Sequence, residues 1–186
     1  MSLFKSLFGK KDGAVQLSDE EQQSDYLHSS RWDELLQLRP DGMPPVRLRR
    51  QGYEWHLVEE RTGKVVSVGN RKLRPLGLWT VRVRGLDHHK AETQAAELFA
   101  GSPLTLTREP DNPFDSSAIA VSGANTKGTI GYVNKQMAAG LAKILDGGTE
   151  IEAISLCGSQ AGSRQQGNVK LVAATPEIIR WLRRHR

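Results

Sequence analysis

The sequence predicts an α+β protein built from short β-strands and a few short helices. In several short segments apolar and polar residues alternate with a period of two, which is the pattern of strands that bury one face. In a few others apolar residues recur at helical spacing. Proline, glycine and acidic or amide residues separate these segments and are typical of turns.

Residues 1–45 are predicted to form an N-terminal extension that is partly disordered or helical. Ser18 and Glu21 form a capping box, in which each side chain can bond a backbone N–H at the other end of the first turn. We expect the helix that starts there to run towards Leu38. Residues 1–11 mix leucine and phenylalanine with lysine, a composition compatible with peripheral contact to an anionic membrane. So short a helix is marginal in water, which favours a disordered terminus.

Residues 46–76 have the pattern of a β-meander. Val46 and Leu48 alternate with arginines, and the next apolar alternation centres on Trp55. A turn then leads into a third predicted strand at Val65–Val68. Because two or three strands are only marginally stable alone, we expect this accessory segment to pack on the rest of the protein.

Residues 77–174 contain most of the predicted strands, and residues 175–186 a basic C-terminal helix with Thr175 at its N-cap. A helix is predicted at Ala91–Ala100 with Leu98 and Phe99 facing inward. Another is predicted to begin after Asn134 as its N-cap and to end at Gly147. The predicted strands are Thr80–Gly85, Leu104–Thr107, Ala118–Val121, Thr129–Val133, Glu150–Leu156 and Asn168–Ala173.

Several candidate ligand-binding side chains lie in the turn that follows Leu104–Thr107. Two prolines bracket Asp111-Asn112, and such side chains can bond nearby N–H groups and hold a turn rigid. Asn112 and Asp115 are short polar groups that could read a hydroxyl. Phe114 is a candidate stacking platform for a base, although the burial habits of phenylalanine favour a partly buried turn anchor. Lys135, at the start of the later helix, is placed to favour a phosphate.

Charge is concentrated in one part of the chain. The net charge is +5, and residues 46–84 contain ten basic and three acidic residues. Arg82 and Arg84 alternate with valines, so both are expected on one exposed strand face. A basic face beside a stacking residue fits a nucleic-acid backbone.

The composition also excludes some classes of protein. A single cysteine, Cys157, rules out an internal disulfide and a cysteine-rich zinc site. We find no apolar run of transmembrane length and no signal-peptide core, so we expect a cytoplasmic protein without a transmembrane segment.

Two runs, REPDNPFDSSAIAV and GTIGYVNKQMAAGLAKILD, resemble the HIRAN domain. This resemblance implies a small OB-like β-barrel that binds single-stranded DNA, with the free 3′ end recognised in some members, and a role in DNA repair or processing. It places Asn112, Phe114 and Asp115 in the end-binding turn and Tyr132 and Lys135 towards backbone phosphates. DNA-binding members carry a basic residue and paired aromatics at the end of the first strand. This chain has Asp87, His88 and His89 there; the histidines can stack, and Asp87 would repel a phosphate.

Two alternatives come from other classes. Asp87-His88-His89 after an apolar strand could present ligands to a divalent metal such as Zn or Mn, for hydrolysis of a phosphoester or phosphoanhydride. Otherwise the barrel could be an adaptor that docks a protein partner. The favoured prediction is a non-enzymatic module without a cofactor, in which His88, His89, Phe114 and Tyr132 frame a terminal nucleotide.

Overall fold

The computed structural model of the chain describes residues 15, 17–163 and 168–185. The membrane contact considered for residues 1–11 lies outside these ranges. The α-helices are α1 (Asp19–Gln23), α2 (Trp32–Leu35), α3 (Lys90–Ala95), α4 (Lys135–Asp146) and α5 (Pro176–Arg184). The strands are β1 (Val46–Gln51), β2 (Glu54–Glu59), β3 (Trp79–Arg84), β4 (Pro103–Arg108), β5 (Ile119–Gly123), β6 (Thr129–Val133), β7 (Glu152–Cys157) and β8 (Lys170–Ala174). Short 3-10 helices occur at Ser29–Arg31, Arg71–Leu76 and Leu86–His88.

Six of these strands form a closed antiparallel barrel in the order β3-β6-β5-β4-β7-β8. Alternate residues of each strand face its interior, for example Val81 on β3 and Leu171 on β8, which are register partners. The amphipathic helix α4 buries Met137, Ala138 and Leu141 in the same cluster and so completes this core. The α+β class and the small barrel predicted from the sequence are confirmed.

A second apolar core covers the outside of the barrel. Ile154, Leu156 and Val172 point outward from β7 and β8, and the β1–β2 hairpin and α5 cover them with residues that include Leu57 and Ile179. The N-terminal segment joins this core through Leu27, Leu35 and Leu36. Segments that precede the barrel in the sequence and the helix that follows it therefore pack into the same outer core.

Several predicted elements differ in extent. The capping box is present, with Ser18 N donating to Glu21 Oε2 at 2.8 Å and Glu21 N donating to Ser18 Oγ at 3.3 Å. The predicted continuous helix towards Leu38 was wrong, because α1, a 3-10 turn and α2 follow one another as separate short pieces. The third meander strand was also wrong: Val65 bridges Tyr26 and Val58, and the chain then turns.

Helix α3 ends earlier than predicted. Ala96 already has an extended backbone, and Leu98 N donates to Ser159 O at 3.0 Å as Leu98 enters the barrel core. Phe99, predicted to face inward, points outward and is 46% exposed. The local spacing of apolar residues predicts a longer helix, but the helix ends early because Leu98 packs into the barrel core. Among the described residues, no helix has both the length and the apolarity needed to cross a membrane.

Candidate functional site

The turn between β4 and β5 is fixed by hydrogen bonds from its own side chains. Asn112 Oδ1 accepts from Phe114 N at 3.0 Å and from Asp115 N at 3.3 Å. Asn112 Nδ2 donates to Glu109 Oε2 at 2.8 Å, and Asp115 Oδ1 accepts from Ser117 N at 2.8 Å. The predicted rigid turn is present, with Asn112 as its centre.

This network leaves the ring of Phe114 in solvent. The residue is 92% exposed, so its interpretation as a partly buried turn anchor was wrong. A shallow cavity of about 390 Å³ is lined by the preceding residues, Arg108–Pro113. A large apolar ring held in water by a fixed backbone is a surface available to a planar ligand.

Arg108 ties the turn to the end of α4. Its guanidinium donates to Ala118 O at 2.8 Å and Ser116 O at 3.0 Å, and pairs with both carboxylate oxygens of Asp146 at 2.9 and 3.1 Å. The same contact holds the pKa of Asp146 below its usual value. No local sequence pattern predicts a role for this arginine, because its partners are 8 to 38 positions away along the chain.

A line of side chains connects the turn to the end of β3. The rings of His89 and Tyr132 lie 6.0 Å apart between centroids, at 55° to each other. Partial burial and the neighbouring Glu109 carboxylate raise the pKa of Tyr132. Glu109 in turn binds Asn112. Glu109, which sequence reasoning missed, therefore links two groups of predicted residues. One is the ring pair of His89 and Tyr132, and the other is the turn that contains Asn112, Phe114 and Asp115.

The basic face of β3 flanks this line. Arg84 is the register partner of Tyr132, and Arg82 is the register partner of Lys170 on β8. Both arginines are exposed while Val81 and Val83 are buried, as the alternation predicted. Arg84 therefore lies next to Tyr132 of the aromatic pair, and Arg82 lies on the same outer face two residues earlier.

Other predicted residues lie apart from the turn. His88 is exposed on its 3-10 helix beside the exposed Asp87, and within the described ranges no group of three or more His, Cys, Asp or Glu side chains is placed to hold a metal ion. Lys135 is exposed at the first position of α4, about 16 Å along the helix from Asp146, the residue that contacts the turn. Asn134 occupies the predicted N-cap position, but its side chain makes no hydrogen bond to the described part of the helix.

The family model of the HIRAN domain matches residues 76–171, which is more than half of the chain. The chain belongs to the HIRAN family. The HIRAN match runs from just before β3 into β8 and so contains the candidate turn, the aromatic pair and the basic face. The β1–β2 hairpin and α5 lie outside it.

Solved structures similar to the chain include two structures of the HIRAN domain of HLTF. The crystal structure of the human domain is 23% identical, covers 59% of this chain and 88% of its own, and has a TM-score of 0.40. The NMR structure of the HLTF HIRAN domain in its DNA-bound conformation is 25% identical, with coverage of 59% and 88% and a TM-score of 0.37. A protein from Lactobacillus plantarum is 21% identical, with coverage of 51% and 91% and a TM-score of 0.40. No curated protein matches the chain.

Proposed function

We propose that this HIRAN protein is a non-enzymatic module that binds single-stranded DNA at its free 3′ end. The observation that carries the proposal is the exposed ring of Phe114, held by a hydrogen-bonded turn that Glu109 connects to the His89–Tyr132 pair. A HIRAN domain of HLTF is described in a DNA-bound conformation, which supports the choice of ligand. Aromatic platforms next to basic side chains are the usual means of binding single strands.

In this proposal the terminal base stacks on Phe114, and Asp115 reads the terminal hydroxyl. One carboxylate oxygen of Asp115 accepts from Ser117 N and fixes the side chain. The other oxygen is then the acceptor for the 3′-hydroxyl, since an ionised carboxylate only accepts hydrogen bonds. A 3′-phosphate offers no such donor and would be repelled by the carboxylate. Asn112, whose amide already bonds three partners in the turn, positions these groups.

The remaining predicted residues are assigned to the strand beyond its terminus. Arg82, Arg84 and Lys135 are exposed cations, and we assign them to backbone phosphates, where each contact releases counterions and makes binding sensitive to salt. His88 and His89 flank the terminal nucleotide on the β3 side. The Glu109 carboxylate, close to Tyr132, disfavours a phosphate at that position.

A role in DNA repair or processing and a cytoplasmic location remain part of the proposal. The repair role follows from the ligand, because free 3′ ends arise wherever strands are cut or resected. The location rests on the composition, because a single cysteine is typical of proteins in a reducing compartment.

The role of Asp115 can be tested with strands that end in a 3′-hydroxyl or a 3′-phosphate. We expect wild type to prefer the hydroxyl and Asp115→Ala to lose about tenfold or more in affinity for it, the range for a hydrogen bond to a charged group. Asp115→Asn keeps an oxygen for Ser117 N but removes the charge, so it should bind both ends with similar affinity.

Asp111→Ala is the matched control, because it removes an exposed carboxylate from the same turn without touching the proposed acceptor. It should retain the wild-type preference. If Asp115→Ala and Asp115→Asn both discriminate as wild type does, Asp115 does not read the hydroxyl.

A further inference from the structure

A second concave surface lies on a different part of the barrel. It is an open groove of about 940 Å³ between the tip of the β1–β2 hairpin and the adjoining ends of β7 and β8. Its aromatic side chains are Tyr53, Trp55 and Phe99, and its basic side chains are Arg50 and Lys170. The hairpin side of the groove lies outside the residues matched by the HIRAN family, whereas the side formed by Phe99 and the ends of β7 and β8 lies inside them.

Two of the three aromatic side chains of the groove, Tyr53 and Phe99, are exposed to solvent, and the third, Trp55, is half-buried. Tyr53 is 90% exposed at the hairpin tip, where the preceding Gly52 has a φ of 60° that a tight two-residue turn requires. Phe99 is 46% exposed although Leu98 beside it is fully buried. Trp55 packs against Gly101, where a Cβ would lie only 2.7 Å from the indole ring. The absence of a side chain at Gly101 therefore leaves room for the indole ring of Trp55 in the wall of the groove.

The charges of the groove have a net positive sign. Lys170 Nζ binds Glu54 Oε2 at 3.0 Å, and this contact lowers the pKa of the Glu54 carboxyl. Arg50 is exposed, with its Nε bonded to Gly52 O at 3.1 Å. A guanidinium beside aromatic rings offers both a phosphate contact and a stacking surface.

The groove is connected to the proposed strand-end site by the outer face of β3. Lys170, at the groove, is the register partner of Arg82, and Arg84 on the same face is the register partner of Tyr132. Paired residues lie about 5 Å apart and alternate residues about 7 Å apart, so Tyr132 and Lys170 are separated by roughly 17 Å of surface. This surface is lined by the two exposed arginines.

We propose that this groove is a second subsite for the same DNA strand, where Tyr53 and Phe99 stack on unpaired bases that precede the 3′-terminal nucleotide. The inference rests on the proposed function. Exposed aromatic rings stack on any base, and the arginine row leads a phosphate backbone from one site to the other. Small barrels that bind single strands span about 4 to 16 nucleotides, which is compatible with two subsites at this separation.

The test compares strand lengths in groove variants. Unlabelled strands of 4 and 12 nucleotides, each with a 3′-hydroxyl, would compete against a labelled 12-mer for wild type, Tyr53→Ala and Phe99→Ala. We expect each variant to lose about fivefold or more in affinity for the 12-mer, the lower end for one stacked base, and to bind the 4-mer as wild type does. Tyr26→Ala, which removes a 55% exposed tyrosine elsewhere, should change neither affinity.

The outcomes separate the two proposals. If wild type prefers a 3′-hydroxyl but the groove variants bind the 12-mer with unchanged affinity, the groove is not a subsite while end recognition stands. Equal losses for the 4-mer and the 12-mer would also overturn the groove assignment. If wild type binds neither strand, the proposed function itself is wrong.

Discussion

At the scale of a single residue, Phe114 exposes an aromatic ring that could otherwise have been buried in the protein. Burying a phenylalanine side chain stabilises a protein by about 1.5–3 kcal/mol, and this position forgoes that gain. The hydrogen bonds of Asn112 to the backbone of Phe114 and Asp115 hold the ring outward instead. A ligand that covers the ring would recover part of the lost burial energy on binding.

Cys157 is an example of the opposite kind, a reactive residue type made inert by its surroundings. Its Sγ donates to Asn168 O at 2.8 Å, and burial together with the nearby Glu54 carboxylate raises the pKa of the thiol to about 11. Both effects disfavour the thiolate, which is the nucleophilic form. At pH 8 about one thiol in a thousand is then ionised.

We therefore predict that folded protein reacts slowly with iodoacetamide at pH 8 and that the rate rises as the pH approaches 11. Protein unfolded in denaturant provides the control and should react at the rate of an ordinary cysteine. Rapid modification of the folded protein at neutral pH would show that the thiol is not held in its neutral form.

At the scale of elements, the pairing of β3 with β6 depends on Gly131. A Cβ at this position would lie 2.4 Å from Arg84 O and 2.8 Å from a methyl group of Val83, and the residue has a φ of 157°. The obstructing atom is backbone, so the neighbour cannot move aside without opening the strand pair. This pair supplies both Arg84 and Tyr132 to the candidate site.

We expect Gly131→Ala to lower the free energy of unfolding by about 1–3 kcal/mol, the usual range for overpacking. Gly148→Ala is a useful comparison because that glycine has a positive φ but open space around it, so it reports conformational strain without a clash. Denaturant unfolding would measure both. Equal stability losses in the two variants would contradict a steric role for the β3–β6 contact.

At the scale of the whole molecule, the second core joins the barrel to segments that the HIRAN match does not cover. Leu182 on α5 and Leu48 on β1 are fully buried in it, together with outward residues of β7 and β8. Because the same strands separate the two cores, loss of the outer core exposes one face of the barrel. Folding of the barrel and of its covering segments should therefore be coupled.

Leu182→Ala should cost about 2–5 kcal/mol, the range for truncating a buried leucine. We expect tryptophan fluorescence and far-ultraviolet circular dichroism to change at the same denaturant concentration, as in one cooperative transition. Arg183→Ala, an exposed neighbour on the same helix, is the control. Two separate transitions would show that α5 and the hairpin fold independently of the barrel.

The sequence allowed the local features to be predicted better than the long-range ones. Alternation of valine and arginine gave the exposed face of β3, and the serine–glutamate spacing gave the capping box. The early end of α3 depends on a core position for Leu98, which lies in the barrel against distant strands. Likewise, the contact between Glu109 and Tyr132 depends on how the strands associate, so no local sequence pattern predicts it.

The claim that the strand end is recognised can be tested most directly with wild-type protein alone. Fluorescence anisotropy would compare one DNA sequence ending in a 3′-hydroxyl, ending in a 3′-phosphate, or closed into a circle. We predict that the strand with the free hydroxyl binds more tightly than the other two. Equal affinity for all three would contradict end recognition at Phe114 and Asp115 and leave only binding along the basic face.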